Sequence, residues 1–242
     1  MAFALVVSTG GVLGKTTPKS TTGVDTSGAT FLAAVVVTYT FGAGSLSNPD
    51  SKGNNWTALT AKQSQAGNSA KVQIFYCASP VVGASHTITI AGSSDIYCCA
   101  WFMAFSGGLL VSPFDLEAGT GSSTGTTIHA GSGVTPSLAN ELIISGLSTE
   151  VLSGTPAVSN LTGAVQLSGA SPQVGGVNFG GGAAYAIQTT AALADPIWTV
   201  ASSAANAAVI ACFKAAVVSP LLRPPTLSGI GSGGPFFQNP LN

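Results

Sequence analysis

His86 and His129 are the only histidines, so any Ser–His–Asp relay or imidazole acid–base chemistry must be built on one of them. Ser123 lies in Gly121-Ser122-Ser123-Thr124-Gly125, a formal match to the nucleophile-elbow pattern G-x-S-x-G. That pattern works on a sharp strand-to-helix turn; here it sits in a Ser/Gly-rich stretch with no helix after it and reads as coincidence. Gly229 to Gly234 matches G-x-G-x-x-G, but it follows no strand and opens no helix, so no dinucleotide site is expected. Asp115 and Glu117, two apart in SPFDLEAG, would share one face of an extended chain, and glycoside hydrolysis needs two carboxylates set across a sugar. Nothing in the spacing of the eight acidic residues singles them out as such a pair. Asp50, with Asn48, Asn54 and Asn55, offers oxygen ligands for calcium, but the spacing departs from the EF-hand loop, and a tight turn held by Asx hydrogen bonds is expected instead.

The four cysteines, Cys77, Cys98, Cys99 and Cys212, lie in apolar strand-like runs without a C-x-x-C. Cys98 and Cys99 point to opposite faces of a strand, which argues against a shared metal or partner. They are expected as buried free thiols, with no metal and no cofactor. Trp56, Trp101 and Trp198 stand in or beside strand patterns and are expected in the core rather than as exposed sugar platforms. The sequons at Asn55 and Asn160 matter only in a secreted eukaryotic protein, which nothing here signals.

The elements that would position these residues are strands. Residues 31–40 (FLAAVVVTYT) place Phe31, Ala33, Val35, Val37 and Tyr39 on one face and Leu32, Ala34 and Val36 on the other, as a central strand does. Further strands are predicted at 2–8, ended by Gly10-Gly11, and at 72–77, 86–91, 96–105, 141–147, 183–189, 196–200 and 207–213. Residues 112–137 read as a long polar connection and 151–181 as weakly patterned, and exact repeats are absent. Short strands punctuated by Gly, Pro and Asn, with no long helical period, indicate a sandwich or barrel.

Composition bounds the role. Charged residues make up 6% of the 242-residue chain, against roughly 25% in an ordinary soluble domain. Seven basic and eight acidic residues leave a net charge of -1, so little repulsion keeps copies apart. The basic residues are scattered, which argues against nucleic acid as a partner. No apolar run reaches the ~18 residues of a spanning helix, and the N-terminus lacks a basic leader, so no membrane partner is expected.

The end of the chain differs. Residues 218–242 contain five prolines and no strand alternation, yet carry Leu221, Leu222, Leu227, Ile230, Phe236, Phe237 and Leu241 beside Arg223. These residues are expected to form an extended arm that docks on a neighbouring subunit, its ordering entropy offset by apolar anchors.

Taken together, DSKGNNWTAL (50–59), VQIFYCASPVVGASHTITI (72–90), AFSG (104–107), SPFD (112–115), ANELIISGL (139–147), GGAAYAIQTTAALADPIWTV (181–200) and AAVIACFKAA (207–216) resemble a family of jelly-roll-like β-sandwich structural proteins of tailed bacteriophages. The resemblance spans roughly residues 30–216, in pattern rather than in one diagnostic motif, and supplies no catalytic residues. It implies a non-enzymatic virion component assembled in the host cytoplasm. The leading expectation is a capsid decoration or cement protein, a homo-oligomer whose partners are the major capsid protein or other virion proteins. The alternatives are a tail or head fibre that binds host glycans through exposed aromatics and the 42–56 loop, and a glycan-degrading enzyme using Asp115 and Glu117. The fold expectation is all-β: a two-sheet antiparallel β-sandwich over residues 1–217 with the arm over 218–242.

Overall fold

The computed structural model describes residues 2–15, 18–39, 44–65, 70–92, 96–150, 155–167, 173–174 and 177–216. The whole arm, Leu221, Leu222, Arg223, Leu227, Ile230, Phe236, Phe237 and Leu241 included, lies outside the described residues.

The first half of the chain supplies β1 (Ala4–Lys15), β2 (Lys19–Ser20), β3 (Phe31–Tyr39), β4 (Ser45–Leu46), β5 (Thr57–Ala58), β6 (Lys62–Gln63), β7 (Ala70–Ala78), β8 (Thr89–Ala91) and β9 (Tyr97–Ser106). The second supplies β10 (Phe114–His129), β11 (Glu141–Thr149), β12 (Ala157–Ser159), β13 (Val165–Gln166), β14 (Gln173–Val174), β15 (Val177–Asn178), β16 (Gly180–Gln188) and β17 (Ile197–Phe213). Described helices are absent, and the architecture is an antiparallel β-sandwich. One sheet runs β1-β9-β3-β7-β5, with β6 also on β7; the other runs β10-β17-β11-β16-β13, with β12 also on β17.

Alternation along β3 explains its central place. Phe31, Ala33, Val35 and Val37 enter the core between the sheets, while Leu32, Ala34 and Val36 enter a second core on the outer face of the first sheet. The small sheet β2-β8-β4 covers that second core with Leu46 and Ile90, joined by Ile88 and Trp56 from the adjoining segments. A third core lies on the outer face of the second sheet. There the far ends of β10 and β17 bend over, where the pairing jumps from Gly125–Ala204 to Thr127–Thr199, and set Ile128 and Trp198 on Ile143, Leu147 and Ile210. The Trp198 indole donates to Ser145 Oγ at 2.9 Å, so its one polar atom is satisfied inside the core.

The two halves share one topology. Each sheet orders its long strands first, last, second, third, and adds a two-residue strand beside the third. The covers match too. Ile90 is flanked by Lys19 of β2 and Leu46 of β4, just as Trp198 is flanked by Ile128 of β10 and Val158 of β12. The isolated bridge Val24–His86 has its counterpart in Val134–Ala194. The fold is a duplicated unit packed face to face, a repeat of pairing that sequence identity does not display.

Several expected elements are corrected. β1 does not stop at Gly10-Gly11 but continues to Lys15 against β9. Gly10 has φ +150°, and a Cβ there would meet the Ala100 carbonyl oxygen at 2.3 Å, so glycine permits the strand rather than ending it. The polar stretch at 112–137 contains the 16-residue β10, whose Ser, Thr and Gly residues are carried by pairing with β17. Residues 197–213 form one bent strand, not two. Within 86–91 only Thr89–Ala91 is strand, and His86 sits in the isolated bridge.

Candidate functional site

Two clusters of ionisable groups have geometry worth chemical scrutiny, one in each half. In the first, His86 Nε2 meets Asp50 Oδ2 at 2.8 Å and His86 Nδ1 meets Thr26 Oγ1 at 2.9 Å. Asp50 is set by an Asx turn: the Lys52 and Asn54 amides both donate to its Oδ1, and Trp56 Nε1 donates to Oδ2 at 3.0 Å. Asn54 in turn exchanges hydrogen bonds with the Val81 backbone at 2.9 and 2.6 Å. With Nε2–H donating to Asp50, the neutral ring leaves Nδ1 to accept the Thr26 hydroxyl, and every group is satisfied. Burial would raise the Asp50 pKa, but hydrogen bonds from His86, Asn54 and Lys52 outweigh it and bring it to about 2.

Hydroxyl, imidazole and carboxylate thus stand in the order of a nucleophile, its base and the group that orients the base. Thr26 and His86 are fully buried, however, as is the Asp50 side chain. The relay sits beneath the cover of the second core and clamps the 48–56 turn and the 79–86 segment to it. The turn expected at Asp50 is present; its histidine partner, 36 residues away, carries no local signal in the sequence.

The second cluster lies on β10 and β11 and on the residue that follows β17, the strand between them. Phe213 and Leu142 point into the core between the sheets, so Lys214 and Glu141, each one residue away, project on the outer side. Lys214 Nζ is 2.9 Å from Asp115 Oδ1. Ser137 donates to both Asp115 oxygens, its amide to Oδ2 at 2.7 Å and its hydroxyl to Oδ1 at 2.8 Å. The same hydroxyl is 3.3 Å from Glu141 Oε1, which also accepts the Leu138 amide at 2.9 Å. Glu141 is fully buried, and its Oε2 has no hydrogen-bond partner among the described residues. Burial raises the Glu141 pKa, and the Asp115 charge adds to the rise. Burial also acts on Asp115, but Ser137 and Lys214 reverse it and lower its pKa.

Asp115 and Glu117 do not share a face. The register jumps between Phe114–Phe213 and Glu117–Ala211, and the bulge turns Asp115 outward while Glu117 follows the inward register of Ala211. Glu117 accepts from Thr60 N at 3.0 Å and Thr60 Oγ1 at 2.7 Å, closing the edge between the sheets. Glu150 does the same with Ser64 and Gln65. Asp115 and Glu117 are therefore not set across a shared cleft.

Ser123 stands in β10 opposite Asn206, away from the nucleophile-elbow setting. His129 Nδ1 meets Asp195 Oδ2 at 2.9 Å on the half-exposed edge of the second half. Beside Asp195 lies a groove of about 380 Å³ lined by Asn160, Thr162, Gln188, Thr190 and Leu193. Trp56, Trp101 and Trp198 are all buried. The four cysteines are free and buried, and burial pushes the Cys77 and Cys98 thiols up to about 11. Among the described residues, no three His, Cys, Asp or Glu side chains converge as metal ligands. Gly229 to Gly234 lie outside the described residues.

No family model, no curated protein and no solved structure matches this chain.

Proposed function

We propose that this chain is a non-enzymatic structural protein of a virion, a capsid decoration or cement protein that stabilises a phage head through subunit contacts. One observation carries the reading. Of the large apolar side chains left exposed, Leu110 and Val111 follow Leu109, which bonds Lys214; Val81 follows Ser79, which bonds Leu110; and Leu138 follows Ser137, which bonds Asp115 beside Lys214. Hydrogen bonds tie these segments together: Ser79 Oγ to the Leu110 carbonyl, the Leu109 amide to the Lys214 carbonyl, and the Ala216 amide to the Gly107 carbonyl. An apolar end continuous with an apolar, proline-broken arm is a surface that suits permanent cover by neighbouring subunits. The scarcity of charge supports the same reading, as does the use of Asp50, Glu117 and Glu150 in bonds within the fold. The arm residues Leu221 to Leu241 supply the remaining contacts in this proposal.

The test is localisation of the chain in its native particle by electron microscopy, with co-sedimentation of purified protein on shells that lack it. Binding lost on deleting residues 219–242 supports the reading; unchanged incorporation overturns the role of the arm. A glycan-binding appendage is the second reading. The uncharged groove beside Asp195 favours it, whereas Trp56, the tryptophan of the 42–56 loop, is buried and offers no exposed aromatic face. Binding to a glycan array, lost on Gln188→Ala, would favour it over the first.

A further inference from the structure

We propose that Lys214 and Asp115 condense into an intramolecular amide, with Glu141 as the proton carrier. The two reacting groups are already in contact. Nζ lies 2.9 Å from Oδ1, an oxygen bonded to the carboxyl carbon that it would attack, and the pair is held by β10 and by the residue that follows β17. The Asp115 side chain is almost wholly buried and that of Lys214 is about one-quarter exposed, so bulk water competes poorly for either. Glu141 stands on β11, the next strand over, and the Ser137 hydroxyl spans Asp115 Oδ1 and Glu141 Oε1.

A simple ion pair would leave one fact without a reason. Glu141 Oε2 is buried with no partner among the described residues, a placement that costs stability unless the group has another use. Burial shifts this carboxyl toward its protonated form, which is the form a proton donor needs. The fold does not require the trio. In the first half, Thr30 and Ser106 occupy the positions beside Phe31 and Phe105 that Glu141 and Lys214 occupy beside Leu142 and Phe213.

The step balances without a co-reactant. The Lys214 ammonium passes one proton to Asp115 Oδ1, giving a free amine and a neutral acid. The amine lone pair attacks Cγ, forming the C–N bond and moving the carbonyl electrons onto Oδ2. The Ser137 amide, 2.7 Å from Oδ2, holds that developing charge. Glu141 delivers its proton through the Ser137 hydroxyl to Oδ1, recovers one from the nitrogen, and the C–Oδ1 bond breaks. One water leaves, Oδ2 becomes the amide oxygen, and neither net charge nor oxidation state changes. This reaction is independent of the virion reading, because it lies wholly within one chain.

The experiment is intact-mass measurement of the purified full chain, followed by peptide mapping. The expected result is a mass one water below that of the sequence, no tryptic cut after Lys214, and a branched peptide joining the segments that contain Asp115 and Lys214. Full sequence mass overturns the proposal, as does loss of water without the branched peptide. Lys214→Arg should restore the full mass. Glu141→Gln should leave its soluble, folded fraction unlinked, and linkage as complete as in the unchanged chain would remove Glu141 from the mechanism. The wild-type peptide map decides the bond itself even if neither variant folds.

Discussion

At the scale of single residues, the informative side chains are the few ions, because a chain this poor in charge leaves each one in a particular place. Asp50 is buried and receives hydrogen bonds from an imidazole, an indole and two backbone amides. Its pKa falls from 3.8 to about 2, so the stability it contributes is fully present above the unfolded value and is lost as pH falls through the folded one. That contribution is about 2 kcal/mol at neutral pH. Urea titrations between pH 5 and pH 2 should show the loss, and Asp50→Asn should flatten it. Asp50→Ala should cost more, about 3–5 kcal/mol, because it strands the buried His86 and Trp56 donors. Local spacing revealed the turn around Asp50 and the core fate of the tryptophans and cysteines. It revealed neither polar cluster, since Asp50 meets His86, and Asp115 meets Lys214, only through contacts made across the fold. The shared face that an extended chain would give Asp115 and Glu117 is absent because a bulge reverses the parity of the strand and leaves no trace in residue types.

At the scale of elements, alternation was readable where both faces of a strand are apolar, as in β3 and β9, and unreadable where pairing alone makes the strand. β10 is the clearest case. Its Ser, Thr and Gly residues suit a loop equally well, and only β17 beside it decides the matter. β1 passes through Gly10 for a steric reason, so Gly10→Val should break the β1–β9 register. A destabilisation of at least about 2 kcal/mol is expected in chemical denaturation. The bent end of β17 is held by Trp198 over the outer face of the second sheet. Trp198→Ala should cost about 3–5 kcal/mol and leave Ser145 without its indole donor. A loss well below that range would mean that the cover contributes little to the fold.

At the scale of the whole molecule, the sandwich class followed from strand spacing and punctuation, but the duplication did not. Two copies of one pairing scheme can share almost no residues as long as each keeps its apolar alternation. Polar chemistry then diverged between them: the first half buries a carboxylate under its cover, and the second holds Asp115, Lys214 and Glu141 beside its core. The apolar end around Leu110 and Val111 belongs to neither sheet. Leu110→Ser with Val111→Ser should therefore change folding stability by no more than about 0.5 kcal/mol, while abolishing co-sedimentation with shells. Loss of fold in that double variant would return these residues to the core and remove them from the proposed contact surface.

The last described residues, 214–216, are sewn into the seam between the halves. Lys214 bonds Pro113 on one side and Leu109 on the other, and Ala216 bonds Gly107. A pull on whatever follows is thus shared between both sheets at their junction instead of peeling one strand from one edge. Force applied at Ala216 would therefore have to break bonds to both halves before the end of the chain could come away.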